Sequence, residues 1–452
     1  MIQRQFYDPG RGAMTCSIEG LEKFDSPGKG RGLRVTRAFQ TGELLFSCPA
    51  YSYVLSLKER GCYCEFCFTR KEGLARCGKC KKAFYCNANC QRGDWPMHKL
   101  ECSAMTAFQE NWCPSEMARL VARIIAKKKM QTERCASEKI LPIGDMQSHV
   151  DDVDNERKDM YEGDIAGLHR FYSKHLELPD HKDLLTLFSQ IACNGFTIED
   201  DELSHTGTAI YPDVALINHS CLPSVIVTYN GTSAEVRAVQ NMKPGDEVLI
   251  SYIDLLYPTD DRNNRLRESY YFTCDCQECK SKSKDEAKLK VRKRIDPIEP
   301  EVISNMTRYA RKTIRELRAF KNIKNILLIS LNNTELLEMC EQSLEEMGAV
   351  FDDSNVYMLH MMYQAMGVCI HMQDANGAIR YGEKILKPYS QLYPPYSLNV
   401  SSMYLKLARL YMGIDRHSMG IRAFKKALAI MEVAHGKDHY YLTELRKEMA
   451  EK

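Results

Sequence analysis

The sequence predicts a mixed α+β chain. A β-rich core is interrupted by a cysteine-rich metal module and a helical insertion, then followed by a short cysteine-rich segment and an all-helical C-terminal lobe. Three observations predict this. Eight potential metal ligands fall between Cys64 and Cys102. Hydrophobic periodicity changes from helical to alternating near residue 225. Beyond residue 300 the chain is helical and self-similar.

A length of 452 residues allows roughly three domains at about 150 residues each. The net charge of +2 argues against a chain built throughout to bind polyanions. Its 19 cysteines cluster mainly at CxxC-like spacings. The opening "MIQRQFYDPGRGAM" lacks the apolar stretch of a signal peptide. No apolar run approaches the roughly 18–20 residues that would span a bilayer. Reduced, metal-bound thiolates in the cytosol or nucleus are therefore expected, rather than disulfides. Residues 1–18 lack a clear period and are expected to form a mobile extension.

Residues 19–63 carry clustered glycines in "GKGRGLRVTRAFQTGELLFSC", then a β-leaning apolar run, which predicts loops and short strands. Next comes Cys64-x2-Cys67-x9-Cys77-x2-Cys80-x5-Cys86-x3-Cys90-x7-His98-x3-Cys102. Tetrahedral zinc takes four N or S ligands, so eight make two closed structural sites. So short a segment has little apolar core, and metal binding must supply much of its folding free energy.

Residues 103–194 read as helical. Met117, Leu120, Val121, Ile124 and Ile125 recur at helical spacing, with further helices expected over 150–175 and 182–192. Over 195–253 a β unit resumes. "VIVTY", "NG" and "AEVRAV" predict a hairpin with a type I′ turn at Asn230-Gly231, and "KPGDEVLISY" adds a turn and a strand.

In the segment 254–282, Cys274-x-Cys276-x2-Cys279 supplies three thiolates. A tetrahedron then lacks one ligand, which a catalytic site fills with water and a structural site with a residue from elsewhere. Cys221, in "NHSCLPSV", is open at this level to three readings: a nucleophile activated by His219, a metal ligand, or an inert core thiol.

The region 283–452 forms the helical lobe. "KSKSKDEAKLKVRKR" at its start is expected to be a solvated linker or exposed helix. "GAIRYGEKIL" and "MGIRAFKKAL" align at an offset of 42 residues, predicting tetratricopeptide-like helix pairs.

Three short motifs remain: "GKGRG" at 28–32, "NHSC" at 218–221, and "ISY" at 250–252 followed by "YYFTCDCQEC". Alone, each is weak; a glycine-rich loop is usually only a loop. In this order, with the Cys/His module splitting the first from the others, they are specific. The Cys/His module resembles a MYND zinc finger. The sequence as a whole, from about Leu21 to its C-terminus, resembles the SMYD family of protein-lysine methyltransferases, in which MYND interrupts a SET domain.

The resemblance implies three structural zinc ions. Cys64, Cys67, Cys86 and Cys90 would hold one, and Cys77, Cys80, His98 and Cys102 the second. Cys221 would complete the third with Cys274, Cys276 and Cys279 in a post-SET segment. It further implies an S-adenosyl-L-methionine site at Lys29, Gly30, Arg31, His149, Asn218, His219, Tyr270 and Phe272. Tyr252 is the expected catalytic residue. Asn194, Phe196, Thr197, Tyr252 and Tyr270 would form the lysine channel, with the helical lobe roofing it. One position departs from the family pattern: Ser224 stands where Asn is usual, keeping a hydroxyl but losing the amide's two donors.

The expected activity is methyl transfer to lysines of histones and non-histone proteins such as transcription factors and chaperones, in a monomer of cytoplasm and nucleus that regulates transcription. Proline-rich peptides, and weakly DNA, are the expected partners of the MYND face. The alternative is a non-catalytic adaptor whose MYND and helical repeats recruit proline-rich partners, but a scaffold does not need the cofactor residues. A Cys221–His219 hydrolase is disfavoured, because a ligated thiolate is not free to attack.

Overall fold

The computed structural model describes residues 17–327 and 333–450. Strands β1 (Leu21–Ser26) and β2 (Gly30–Val35) form an antiparallel hairpin, followed by β3 (Leu44–Pro49) and β4 (Ser52–Leu55). The metal module contributes β5 (Ala75–Arg76), β6 (Phe84–Tyr85) and helix α1 (Ala88–Phe108). The insertion holds α2 (Glu116–Met130), α3 (Asn155–Tyr172) and α4 (His181–Asn194). The core resumes with β7 (Gly195–Glu199), β8 (His205–Ile210), α5 (Pro212–Ala215), β9 (Asn218–His219), β10 (Val225–Asn230), β11 (Ser233–Ala238) and β12 (Leu249–Ile250).

Pairing across the interruption closes the core. β3 pairs with β11, and β4 with β8, so residues 44–55 join residues 205–238 although the metal module and insertion lie between. One apolar core runs from Ile18 through the module and insertion to Ile250. The expected mobile extension therefore ends too late: Ile18 is buried and bridges to Leu21. Residues 1–16 of that expectation lie outside the described residues.

Helix starts follow their caps. Asn87 accepts from the N–H groups of Asn89 and Cys90, while Ser115, Asp154 and Asp180 cap α2, α3 and α4. Within α2, Arg119 and Arg123 turn into the core rather than toward water. Arg119 pairs with Glu101 at 2.8 Å and Arg123 with Asp94 at 3.1 Å, binding the insertion to α1 of the metal module.

The β10–β11 turn differs from the expected type I′. Asn230 pairs with Ser233, so the two turn residues are Gly231 and Thr232, and of these Gly231 has positive φ (61°). This is the type II′ pattern, with glycine first. A Cβ at Gly231 would lie 2.7 Å from the Cys67 carbonyl oxygen, so the metal module presses on the turn.

After the core come α6 (Thr259–Tyr270), α7 (Gln277–Ser281) and α8 (Asp285–Lys288). The basic segment here is not a wholly solvated face. Lys288 is buried and its Nζ donates to the carbonyls of Leu255 and Tyr257, at 2.8 and 2.9 Å. Burial pushes its ammonium down to about 8.

The lobe is all helical: α9 (Pro300–Leu327), α10 (Asn333–Gly348), α11 (Val356–His371), α12 (Ala375–Leu392), α13 (Leu398–Gly413), α14 (His417–Ala434) and α15 (Tyr440–Ala450). The α11–α12 pair recurs as α13–α14 with every boundary displaced by the same 42 residues. No helix among the described residues is long and apolar enough to cross a membrane.

Candidate functional site

Three groups of four ligand atoms gather within 4.8 Å: Cys64, Cys67, Cys86 and Cys90; Cys77, Cys80, His98 and Cys102; Cys221, Cys274, Cys276 and Cys279. Each is a closed thiolate-rich donor set of the kind structural zinc takes. The first two interleave along the chain, because the β5–β6 hairpin and the start of α1 fold the two halves of the module together. In the third, crowding pushes the Cys221 thiol up and holds Cys274 down, through the hydrogen bonds between those two sulfurs first. Arg262, fully buried, donates from Nε to Cys221 Sγ at 3.2 Å and from Nη2 to Cys279 Sγ at 3.5 Å.

Cys221 is tied to the core by a neighbouring histidine. β9 runs parallel to β12, with Asn218 opposite Leu249 and His219 opposite Ile250. That register brings Tyr252 over His219, and the Tyr252 N–H donates to His219 Nδ1 at 3.0 Å. The ring proton is therefore on Nε2, which faces Cys221 Sγ at 3.4 Å. Being a donor there, His219 cannot serve Cys221 as a general base.

Tyr252 donates its hydroxyl to the Ile217 carbonyl at 2.6 Å, and burial raises it well above the usual phenol range. It stays a protonated donor. Its ring meets Tyr270 at 4.9 Å and Phe272 at 6.3 Å, while Phe272 lies 5.8 Å from His219. The Tyr270 hydroxyl donates to the Tyr252 carbonyl at 3.4 Å.

On one side of these rings, β2 brings up the glycine-rich edge. Gly32 allows the approach: a Cβ there would lie 2.7 Å from Asn218 Nδ2. Asn218 Nδ2 donates to Glu247 at 2.9 Å, and Lys29 pairs with the same carboxylate at 3.1 Å. Gly30 has φ of 76° with open space where a side chain would be. Arg31 donates to the Asp145 carbonyl of the insertion at 2.7 Å. His149 stacks on Tyr271 with centroids 4.9 Å apart, which sets it beside the Tyr270–Phe272 segment.

On the other side lies a cleft of about 790 Å³. Asn194, Phe196, Thr197, Tyr252 and Tyr270 line its core wall. The lobe supplies the opposite wall through Tyr363 and residues 393–399. The Tyr393 hydroxyl donates to Asp254 at 2.8 Å, fastening this wall to the core. Tyr252 and Tyr270 thus line the cleft, and Tyr252 also touches His219, whose neighbour Asn218 packs on the glycine edge at Gly32.

Residues 64–102 match the MYND finger family model. N-lysine methyltransferase SMYD2 of Homo sapiens is 64% identical over 432 residues, covering 96% of this chain and 98% of the relative. The chain belongs to the SMYD family. Two further SMYD relatives are as similar: SMYD2-B of Danio rerio, 64% identical over 432 residues with 96% and 98% covered, and SMYD2-B of Xenopus laevis, 63% over 431 with 95% and 99%.

The Ser224 departure is absorbed locally in this SMYD chain. Ser224 Oγ donates to the Glu247 carbonyl at 3.1 Å and accepts from the Leu249 N–H at 2.9 Å, holding the "NHSC" loop to β12. Glu247, Arg262 and Tyr393 were not singled out from the sequence. Glu247 lies in a stretch bridged to Arg34 and carries no motif, and Arg262 sits in a polar helix; neither carries a local signal. Arg119 and Arg123 did carry one: two arginines four apart inside the apolar run "MARLVARIIA".

Proposed function

We propose that the protein is an S-adenosylmethionine-dependent protein-lysine N-methyltransferase. The observation that carries this reading is the place of Tyr252. It lines the cleft with Tyr270 while touching His219 on the glycine-edge side. The donor set there suits the cofactor: the open edge at Gly30, the Asn218 amide, the cation of Lys29 and the face of Phe272 offer room, polar atoms and an aromatic wall. When bound, S-adenosylmethionine supplies an electrophilic methyl group on a sulfonium.

The chain's own residues align and prepare the amine. Lysine is protonated near its reference pKa of about 10.4 and must lose that proton to present a lone pair. The half-buried rings of Tyr252 and Tyr270 disfavour the ammonium by partial desolvation. The Tyr252 hydroxyl, fixed on the Ile217 carbonyl, limits where the amine can sit, and displacement along one line rewards such alignment. The lobe wall at Tyr363 and 393–399 narrows entry and so selects among protein chains.

Three zinc ions would be held by the three ligand groups, each in a structural role. The resemblance extends the reading to histone tails, transcription factors and chaperones as substrates and to transcriptional regulation in cytoplasm and nucleus. It also suggests proline-rich peptides at the MYND face, weak DNA contact there, and a monomer.

Labelled methyl transfer from S-adenosylmethionine to lysine peptides tests the reading, with wild type active and Tyr252→Phe impaired. Equal rates in the two would end the role given to Tyr252. Calorimetry separates the adaptor alternative, which predicts no S-adenosylmethionine binding.

A further inference from the structure

The helical lobe rests on the core where the segment after α14 meets the loop between β7 and β8. Asp201 comes from that loop, and His435 and His439 from the lobe. Their ligand atoms all lie within 4.8 Å of one another. Asp201 Oδ1 is 3.8 Å from His435 Nδ1 and 3.7 Å from His439 Nδ1. These separations are too long for hydrogen bonds. They are near those of donors sharing an ion, since tetrahedral ligands about 2.0–2.2 Å from one zinc sit roughly 3.3–3.6 Å apart. The thiolate groups show comparable spacing, 3.5 Å between Cys221 and Cys279 and 3.7 Å between Cys67 and Cys86.

The second observation is independent of distance. His435 is only 4% exposed, yet neither of its ring nitrogens has a hydrogen-bond partner, and His439 Nδ1 has none either. A buried neutral imidazole carries one N–H and one lone pair to satisfy. Leaving them unpaired is costly, so such atoms call for an explanation. The Tyr440 hydroxyl donates to Asp201 Oδ2 at 2.7 Å, leaving Oδ1 toward the two rings. Carboxylates that hold metals are commonly oriented by such a second hydrogen bond. Glu235 and Arg237, the neighbouring charges, pair with each other at 2.7 Å. A cleft of about 680 Å³ opens on His435, His439 and Tyr440, giving an ion a way in and a water room beside it.

We propose that Asp201, His435 and His439 form a fourth metal site, taking a zinc-class divalent ion through two imidazoles and a carboxylate. The donor set is harder than the thiolate groups and suits zinc with an open fourth position. The ion clamps lobe to core. Asp201 follows β7 by two residues, and β7 carries Phe196 and Thr197 of the cleft wall, so occupancy of this site bears on how the lobe seats over the cleft.

Zinc content of the full-length protein, equilibrated with Zn²⁺ and freed of loose ions by gel filtration, tests the site. Wild type should hold one equivalent more than Asp201→Asn or His439→Ala. Added Zn²⁺ should raise the melting midpoint of wild type but not of those variants. Equal zinc content and equal melting response would overturn the proposal. Anomalous scattering from zinc-soaked wild-type crystals decides it even where a variant does not fold: a peak among the three side chains supports the site, and its absence there refutes it.

Discussion

The backbone N–H of Tyr252 is held by Nδ1 of His219 at 3.0 Å, and the opposite edge of the same imidazole meets Cys221 Sγ at 3.4 Å. One ring therefore links the tyrosine that faces the cleft to the loop that supplies a metal ligand. Removing it should leave the part-buried Tyr252 N–H without its acceptor, a penalty of about 1 kcal/mol. With the backbone beside its ring released, Tyr252 should shift out of line, and His219→Ala should lower kcat by roughly 10–100-fold, measured by labelled methyl transfer at saturating substrate. An unchanged kcat would separate the ring from the chemistry.

Cys221→Ser should release one zinc, because the hydroxyl is a poor replacement for a thiolate beside Cys274, Cys276 and Cys279. Since the same loop carries Asn218 and His219, S-adenosylmethionine binding should weaken as well. Metal analysis and calorimetry on one sample check both effects, and retention of both would break the link between them.

Glu199 lines the cleft, and burial pushes its carboxyl up to about 7, with Asp200 adding to the shift and His205 opposing it. A raised acid favours the fold fully below its unfolded value of 4.5, and that contribution is lost as pH rises through about 7. Glu199→Gln should therefore gain stability relative to wild type between pH 4.5 and 8, seen in urea unfolding. KM for a basic lysine peptide should fall as wild type ionises between pH 6 and 8, and Glu199→Gln should flatten that dependence.

Glu101 is wholly buried and serves Arg119, Arg123 and the Tyr172 hydroxyl together. Burial alone would raise its carboxyl, but the two guanidinium groups outweigh burial and hold it well below the usual range. Glu101→Gln removes the carboxylate shared by two buried guanidinium groups, leaving Arg123 its Asp94 partner and Arg119 the Leu55 carbonyl and Glu65, and should cost about 2–4 kcal/mol in denaturant unfolding. A loss near zero would mean that the Arg123–Asp94 pair and apolar packing join the MYND helix to α2 without help from the Glu101 charge.

Much of the architecture was legible because its signals are local. Metal-ligand spacing fixes the Cys/His module, since four ligands must reach one ion from fixed positions on a short chain. The 42-residue offset located both helix pairs, because each pair is a unit repeating its own packing. The hairpin at 225–238 was legible from its alternation, but its turn type was not. Asn230 extends the strand pairing by one residue, and only the neighbouring metal module shows why Gly231 takes the bend.

By itself, the sequence determined which residue types could ligate metal, where the β-rich core stops and resumes, and which motifs suggest a methyl donor beside a tyrosine. Tertiary structure decided the rest. The parallel pairing of two-residue strands set His219 under Tyr252. Chain folding brought Glu247 between Lys29 and Asn218, and Arg262 onto the sulfurs. It placed Lys288 and two arginines inside, and joined Asp201 to His435 and His439 across more than two hundred residues. The reason is physical: local periodicity shows which face of a segment is apolar, but desolvation and charge pairing depend on what a distant segment brings to that face.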